Sequence, residues 1–283
     1  PFAPGGAADL TARSLERVLT RRLPEHNFVV EYQAGAGGVI GANAVAKNKN
    51  KETVLMIHSL ALIINSTNNN ATYNLFQDFI PVATLGSLHL VLVTHKKSST
   101  NTMSKLTSSK SPVFFGSSGV GTATHVAGEL FGQQAKLDVV HVPYKGASVA
   151  VFSLISGEVD EVVVAVASSL TQIRAGKVRA LAVLSERRTP ALPEVPTAKE
   201  AGVDHFVMPI WFGMFAPAKT SRELTGKLYA EVKKAMTAPD FKERLSAAGV
   251  EPWLGSPEEL AALVKSESAR YAAIIKRAGL KPE

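Results

Sequence analysis

Three stretches of this chain place glycine and small hydroxyl residues where a strand gives way to a helix. The first is PFAPGGAADL at residues 1–10. Pro1 and Pro4 stiffen its approach, Gly5-Gly6 permit unusual dihedrals, and an amphipathic segment follows at once. The second, FGSSGVGTATH at 115–125, runs from an apolar strand through Ser117, Ser118, Gly119 and Gly121 to Thr122, which opens a helix. The third, HVPYKGASVA at 141–150, repeats the scheme with Gly146 and Ala147 at the helix start. Backbone N–H groups exposed at a helix N-terminus attract anions, and glycine lets a ligand come close to them. At the second junction, hydroxyls would add donors without any full charge. Each junction alone also has a plainer reading. Asp9 could serve only helix geometry, Lys145 could be a solvated loop residue, and Tyr144 could be a packed aromatic instead of a cleft wall. Three such junctions together point to a small anion held outside the carboxyl ends of strands, where open α/β sheets gather their ligands.

Other chemistry finds less support. An enzyme reading would make Ser118 a nucleophile with His125 as its base, but the elbow pattern G-x-S-x-G fails because Val120 stands where the last glycine belongs. His125 reads better as a structural or hydrogen-bonding histidine. GAGGVIG (35–41) does not match G-x-G-x-x-G in register, and no lysine follows a glycine loop as in a Walker motif. The seven histidines lack H-x-x-x-H or comparable ligand spacing, and the chain has no cysteine. Neither a metal nor a cofactor is expected.

The elements that must position these junctions alternate between apolar strand and amphipathic helix. Residues 10–23 place Leu15, Val18, Leu19 and Leu23 on one helical face. NFVVEY (27–32), a glycine-rich turn at 35–38 and an alanine-rich helix to Lys47 follow. The apolar runs TVLMIH (53–58) and HLVLVT (89–94) predict strands buried on both faces of a parallel sheet. Residues 96–111 read as a linker or surface segment. Strands are then expected at 112–116, 138–142, 161–166 and 178–184, with helices at 122–135, 147–156 and 168–175. A proline-rich loop (189–197) and an apolar run (207–217) lead to a purely helical tail at 221–237, 239–248 and 257–278. This order predicts two lobes: residues 1–96 with 216–283 as lobe I, and 97–215 as lobe II.

Composition fits that picture. Hydrophobic residues make up 46% and charged residues 19% of 283 residues, a globular balance long enough for two domains. No run approaches the roughly 18 apolar residues of a membrane span. A signal peptide, if the protein is exported, is expected to have been removed from this sequence. The charge of +7 comes from basic residues scattered in short pairs without aromatic interleaving, which argues against nucleic acid.

PFAPGG with Asp9, GAGG at 35–38, FQDFIPVATL at 76–85, FGSSGVGTATHVAGELF at 115–131 and LDVVHVPYKG at 137–146 follow one another in a familiar order. IRAGKVRALAV (173–183), ALPEVPTAKEAG (191–202), WFGMFAPA (211–218) and SPEEL (256–260) complete the series. Together these resemble the extracytoplasmic receptors of tripartite tricarboxylate transporters, the Bug receptors, over essentially the whole chain. The resemblance implies an α/β, type II periplasmic-binding-protein fold with two α/β lobes joined by a two-strand hinge. It implies no catalysis, a periplasmic location, and a small-molecule carboxylate bound in an interlobe cleft for delivery to membrane subunits; a monomer is the default for such a receptor. A ligand sensor signalling to a different partner is the alternative on the same fold. By position, the resemblance places Phe2, Gly6, Ala7, Ala8, Asp9, Ser59 and Leu60 against one end of the ligand. Ser117, Ser118, Gly119, Thr122, Gly146 and Ala147 would hold the other. It also implies a short strand before PFAPGG, and it shows departures: Gln33 and Ala34 replace an arginine and a proline, and Lys51-Glu52 an Asp-Gly turn. Val164 stands where many relatives carry an aspartate. A valine there cannot pair with a ligand ammonium, which favours a dicarboxylate or aromatic carboxylate over an amino acid.

Overall fold

The computed structural model describes residues 1, 2, 4, 7–48, 53–67, 71–120, 122–247 and 249–278. Gly6, one of the expected ligand residues, lies outside them. In chain order the elements are α1 (Ala7–Arg22), α2 (Val39–Ala46), β1 (Met56–Ser59), α3 (Ala61–Thr67), β2 (Phe79–Leu88), β3 (Leu90–His95) and α4 (Met103–Thr107). Then come β4 (Val113–Ser117), α5 (Ala123–Ala135), β5 (Val139–Pro143), α6 (Ala147–Ser156), β6 (Glu161–Ala165), α7 (Val166–Arg174) and β7 (Val178–Val183). The chain ends with β8 (Ile210–Pro217), α8 (Arg222–Thr237), α9 (Pro239–Ala247), β9 (Glu251–Gly255) and α10 (Pro257–Ala278).

Two compact units divide these elements: Pro1–Ser87 with Trp211–Glu283, and Leu88–Ile210. The crossings fall earlier than the 96/97 and 215/216 expected from the order of elements along the sequence. The reason is β3, whose apolar residues are ladder-bonded into the second unit's sheet and so draw the boundary back to residue 88.

In the second unit the strand order is β5-β4-β6-β3-β7. β4 runs parallel to both β5 and β6, while β3 is antiparallel to β6 and β7. Leu90, Val91, Leu92 and Val93 are all fully buried. The continuous apolar run therefore reported two-sided burial correctly, but the strand is a reversed one in a mixed sheet. Burial on both faces selects apolar residues whichever way a strand runs. The supposed linker at 96–111 contains α4, capped by Thr102 and anchored through buried Met103 and Leu106.

The first unit's sheet has the order β1-β8-β2-β9. β1 is antiparallel to β8, and β2 to β9. β9 corrects the expectation of a purely helical tail, since it supplies a strand between α9 and α10. NFVVEY forms no ladder strand, and Val29 in it is 71% exposed. α1 buries Leu15, Val18 and Leu19, with Asp9 in its first turn and Arg21 and Arg22 in its last, the charge order a helix dipole favours. Among the described residues no helix is long and apolar enough to cross a membrane.

Candidate functional site

Each unit carries its own strand-to-helix junctions. In the second unit, the parallel register of β4 on β5 sets Phe115 opposite His141. Alternation along the strand then turns Ser117 toward the face that carries Phe115. The loop between β4 and α5 knots itself closed. The Ser117 hydroxyl lies 2.6 Å from His141 Nε2, and Ser117 Oγ accepts the Gly119 N–H at 3.1 Å. Thr124 Oγ1 accepts the Ser118 N–H at 2.9 Å, and Thr122 Oγ1 donates to the Gly119 carbonyl at 2.7 Å. Thr122 is the N-cap of α5 and accepts the His125 N–H at 3.4 Å.

These bonds assign roles. The backbone donors of Ser118 and Gly119 and the hydroxyl of Thr122 are committed within the loop, so they shape it. The Ser118 hydroxyl and the Ala123 and Thr124 amides have no partner among the described residues and can meet a ligand. Gly119 has φ +132°, and an added Cβ would lie 3.3 Å from the Tyr144 carbonyl, which explains glycine there.

Beneath the loop, His141 stacks on His125 with ring centroids 3.7 Å apart and planes 11° from parallel. Phe115 stacks on His141 at 4.8 Å. Burial lowers both histidines to about 4, and for His141 the neighbouring His125 adds to the shift. Glu129, one turn along α5 with its carboxylate 3.8 Å from His125 Nε2, is pushed the other way by burial. Acid and base are both driven toward their neutral forms. Among the described residues no hydrogen bond joins Ser118 to His125; the side chain that meets a histidine in this loop is Ser117, which is buried.

At the third junction Gly146 caps α6 with φ +116° and open space where a Cβ would stand. Its carbonyl accepts from Ala150, and half-buried Ala147 begins the helix. Lys145 is exposed, whereas Tyr144 packs on the core and donates to Glu158 at 3.3 Å. Val164 is fully buried, packed with Val91, Ala150 and Val162. It forms core and lines no surface. The sequence reading missed a fourth junction, where β6 passes directly into α7 and leaves Ala167 and Ser168 exposed in its first turn. The small residues after the run EVVVAV were the available signal.

In the first unit Ala7 and Ala8 are half-buried at the start of α1. Asp9 accepts from Tyr32 at 2.6 Å and from Arg13 at 2.8 Å, so its carboxylate joins α1 to residue 32. Phe2 packs edge-on against His58, with centroids 5.0 Å apart. His58 is fully buried and accepts the Ser59 N–H at 2.9 Å, which assigns the proton to its other nitrogen. Burial is the main cause of its lowering to about 4. Ser59 caps α3 by accepting from Ala61 at 3.3 Å, while the Leu60 side chain is fully buried. A Cβ on Gly38 would lie 2.6 Å from His58, so part of the GAGG turn is explained by packing.

Comparison with known proteins agrees with this architecture. The model of the tripartite tricarboxylate transporter family receptors matches residues 11–280. The UPF0065 protein in the tcbD-tcbE intergenic region of a Pseudomonas species is 38% identical over 281 residues, covering 97% of this chain and 83% of its own. Among solved structures, an R. palustris protein with adipate superposes with a TM-score of 0.87 at 29% identity, covering 100% of this chain and 96% of the other. MatC from Rhodopseudomonas palustris with bound malate gives 0.82 at 28% identity, covering 97% and 96%. The fold is the type II periplasmic-binding-protein fold. Substrate receptors of this kind bind without turnover, and this chain is a receptor, not an enzyme. Across nearly its whole length, and with glycine and hydroxyl junctions at its strand ends, the chain belongs to the tripartite tricarboxylate transporter receptor family.

Proposed function

We propose that the chain is a periplasmic receptor for an aliphatic dicarboxylate or an aromatic carboxylate, which it delivers to the membrane subunits of a tripartite tricarboxylate transporter. The observation that carries this reading is the set of neutral donors at the second unit's helix starts. The Ser118 hydroxyl and the first-turn amides of α5 and α6 are suited to a carboxylate, and no acidic side chain accompanies them. A carboxylate at such a site exchanges water for fixed dipoles without the desolvation cost of a buried arginine.

The same observation argues against an amino acid. Asp9, the acidic residue among the expected ligand contacts, is already engaged by Arg13 and Tyr32. A ligand ammonium would meet no counter-charge at these positions. The solved relatives with adipate and malate, at 29% and 28% identity, support the aliphatic dicarboxylate class most directly. The first unit would contribute Phe2, the α1 start at Ala7 and Ala8, and the Ser59–Leu60 turn. Binding shifts the receptor toward its closed state only in proportion to its preference for that state. The receptor acts as a monomer in this reading.

A thermal-shift screen followed by calorimetry tests the proposal. The panel holds succinate, malate, glutarate, adipate, benzoate, phthalate, citrate and several amino acids. One-site stabilisation by a dicarboxylate or aromatic acid, growing with its concentration as linkage requires, supports the reading. A hit confined to amino acids overturns it.

A further inference from the structure

We propose that His141 is a positioning residue for ligand binding, holding the Ser117–Thr122 loop in shape from beneath through one hydrogen bond and one ring stack. This rests on the carboxylate reading above.

The geometry carries it in three steps. His141 lies on β5, 24 positions from Ser117 in sequence, and reaches the loop only because β4 and β5 pair in parallel register. Its Nε2 lies 2.6 Å from the Ser117 hydroxyl, and this bond holds Ser117 Oγ where it accepts from the Gly119 N–H. Gly119 then presents its carbonyl to Thr122, the residue that starts α5. The imidazole thus sits at the base of a relay that ends at Thr122, the N-cap of α5.

The stack supplies the rigidity. His125 lies against the face of the ring at 3.7 Å and Phe115 stacks offset beside it at 4.8 Å, and both contacts resist rotation of the ring away from Ser117. Centroids at 3.7 Å and an 11° tilt are a tight face-to-face contact between two neutral imidazoles. Their shared burial keeps both rings uncharged at neutral pH. With the ring proton on Nε2, the ring donates to Ser117 and turns the serine hydroxyl proton toward the Gly119 carbonyl, 3.2 Å away. That carbonyl is already Thr122's acceptor. In either neutral tautomer the ring stays within hydrogen-bond reach of the Ser117 hydroxyl.

The test uses H141F, which keeps an aromatic ring in the stack but has no acceptor, and S117A, which removes the same hydrogen bond without touching the stack. Amide hydrogen exchange is read first on the ligand-free protein. Gly119 should exchange at least tenfold faster in both variants, with the β3 amides unchanged. Calorimetry with the tightest binder among succinate, malate, glutarate and adipate is read second. Each single variant should bind about tenfold more weakly, and the double variant no more weakly than either, because both remove one interaction. Unchanged Gly119 exchange, or losses that add in the double variant, overturns the positioning role. Faster Gly119 exchange together with a wild-type protein that binds none of the four acids overturns the ligand role of the relay and the dicarboxylate reading, while leaving the loop geometry demonstrated.

Discussion

Gly128 lies flat against the Phe115 ring, so close that a methyl group on its Cα would overlap the ring carbons. The glycine is what lets α5 settle onto β4, and through Phe115 it sets the height of the histidine stack. Gly128→Ala is expected to lower stability by about 1–3 kcal/mol, the cost of forcing extra volume into a packed core. Urea denaturation at neutral pH measures it; a change below about 0.5 kcal/mol would show that the helix can shift freely.

Glu161 is fully buried on β6, and among the described residues neither carboxylate oxygen has a hydrogen-bond partner. Burial raises its pKa to about 8, with Asp160 adding to the shift. The unfolded chain releases this proton near the ordinary glutamate value and the folded protein keeps it to about 8. Stability attributable to this residue therefore falls as pH rises across that window and levels above it. Glu161→Gln should abolish that component and gain on the order of 2–4 kcal/mol over wild type near pH 8. Parallel denaturation curves from pH 4.5 to 8.5 isolate the difference; identical pH slopes would refute the assignment.

Thr122 and Ser118 are neighbours with opposite expectations. The Thr122 hydroxyl caps α5 and holds Gly119, so Thr122→Val should cost about 0.5–2 kcal/mol of stability. Ser118→Ala removes an uncommitted hydroxyl. It should leave stability within about 0.5 kcal/mol and weaken carboxylate binding about tenfold. Melting curves and calorimetry on the pair separate the two roles, and an unaffected affinity in Ser118→Ala would remove that side chain from the site.

Gly146 differs from Gly128 in having empty space where a side chain would begin and a backbone angle of φ +116°. Gly146→Ala is expected to cost about 1–2 kcal/mol through backbone strain and to obstruct a ligand at the α6 amides. Affinity should drop by more than the loss of stability alone explains. Equal affinity in the variant would place the ligand away from α6.

How much of this was legible beforehand depended on where the information lay. β4, β5, β6 and β7 stood out because short apolar runs ended in glycine, proline or small polar residues. β2 was hidden, since FIPVATLGSL contains both proline and glycine and never forms an uninterrupted run. β9 is five residues with a proline, and it is a strand only through its pairing with β2. At the site, the junctions announced themselves by residue type. The spending of their donors did not, because Ser117, Gly119, Thr122 and Thr124 choose among partners a few ångströms apart. Nor did the meeting of Ser117 with His141, which a register between distant strands decides. Val164 misled for a related reason: its position on β6 was clear, but only the packing of α6 puts it in the core.

The two tryptophans give the molecule a native optical probe. Trp211 is the first residue of the first unit after the chain leaves the second, fully buried and, among the described residues, with no hydrogen-bond partner for its indole N–H, whereas Trp253 on β9 is 39% exposed. Their emission should separate into a blue component from Trp211 and a redder one from Trp253. A change in the packing around Trp211 then shifts the blue component alone, so the burial of this strand can be followed in real time without attaching a dye.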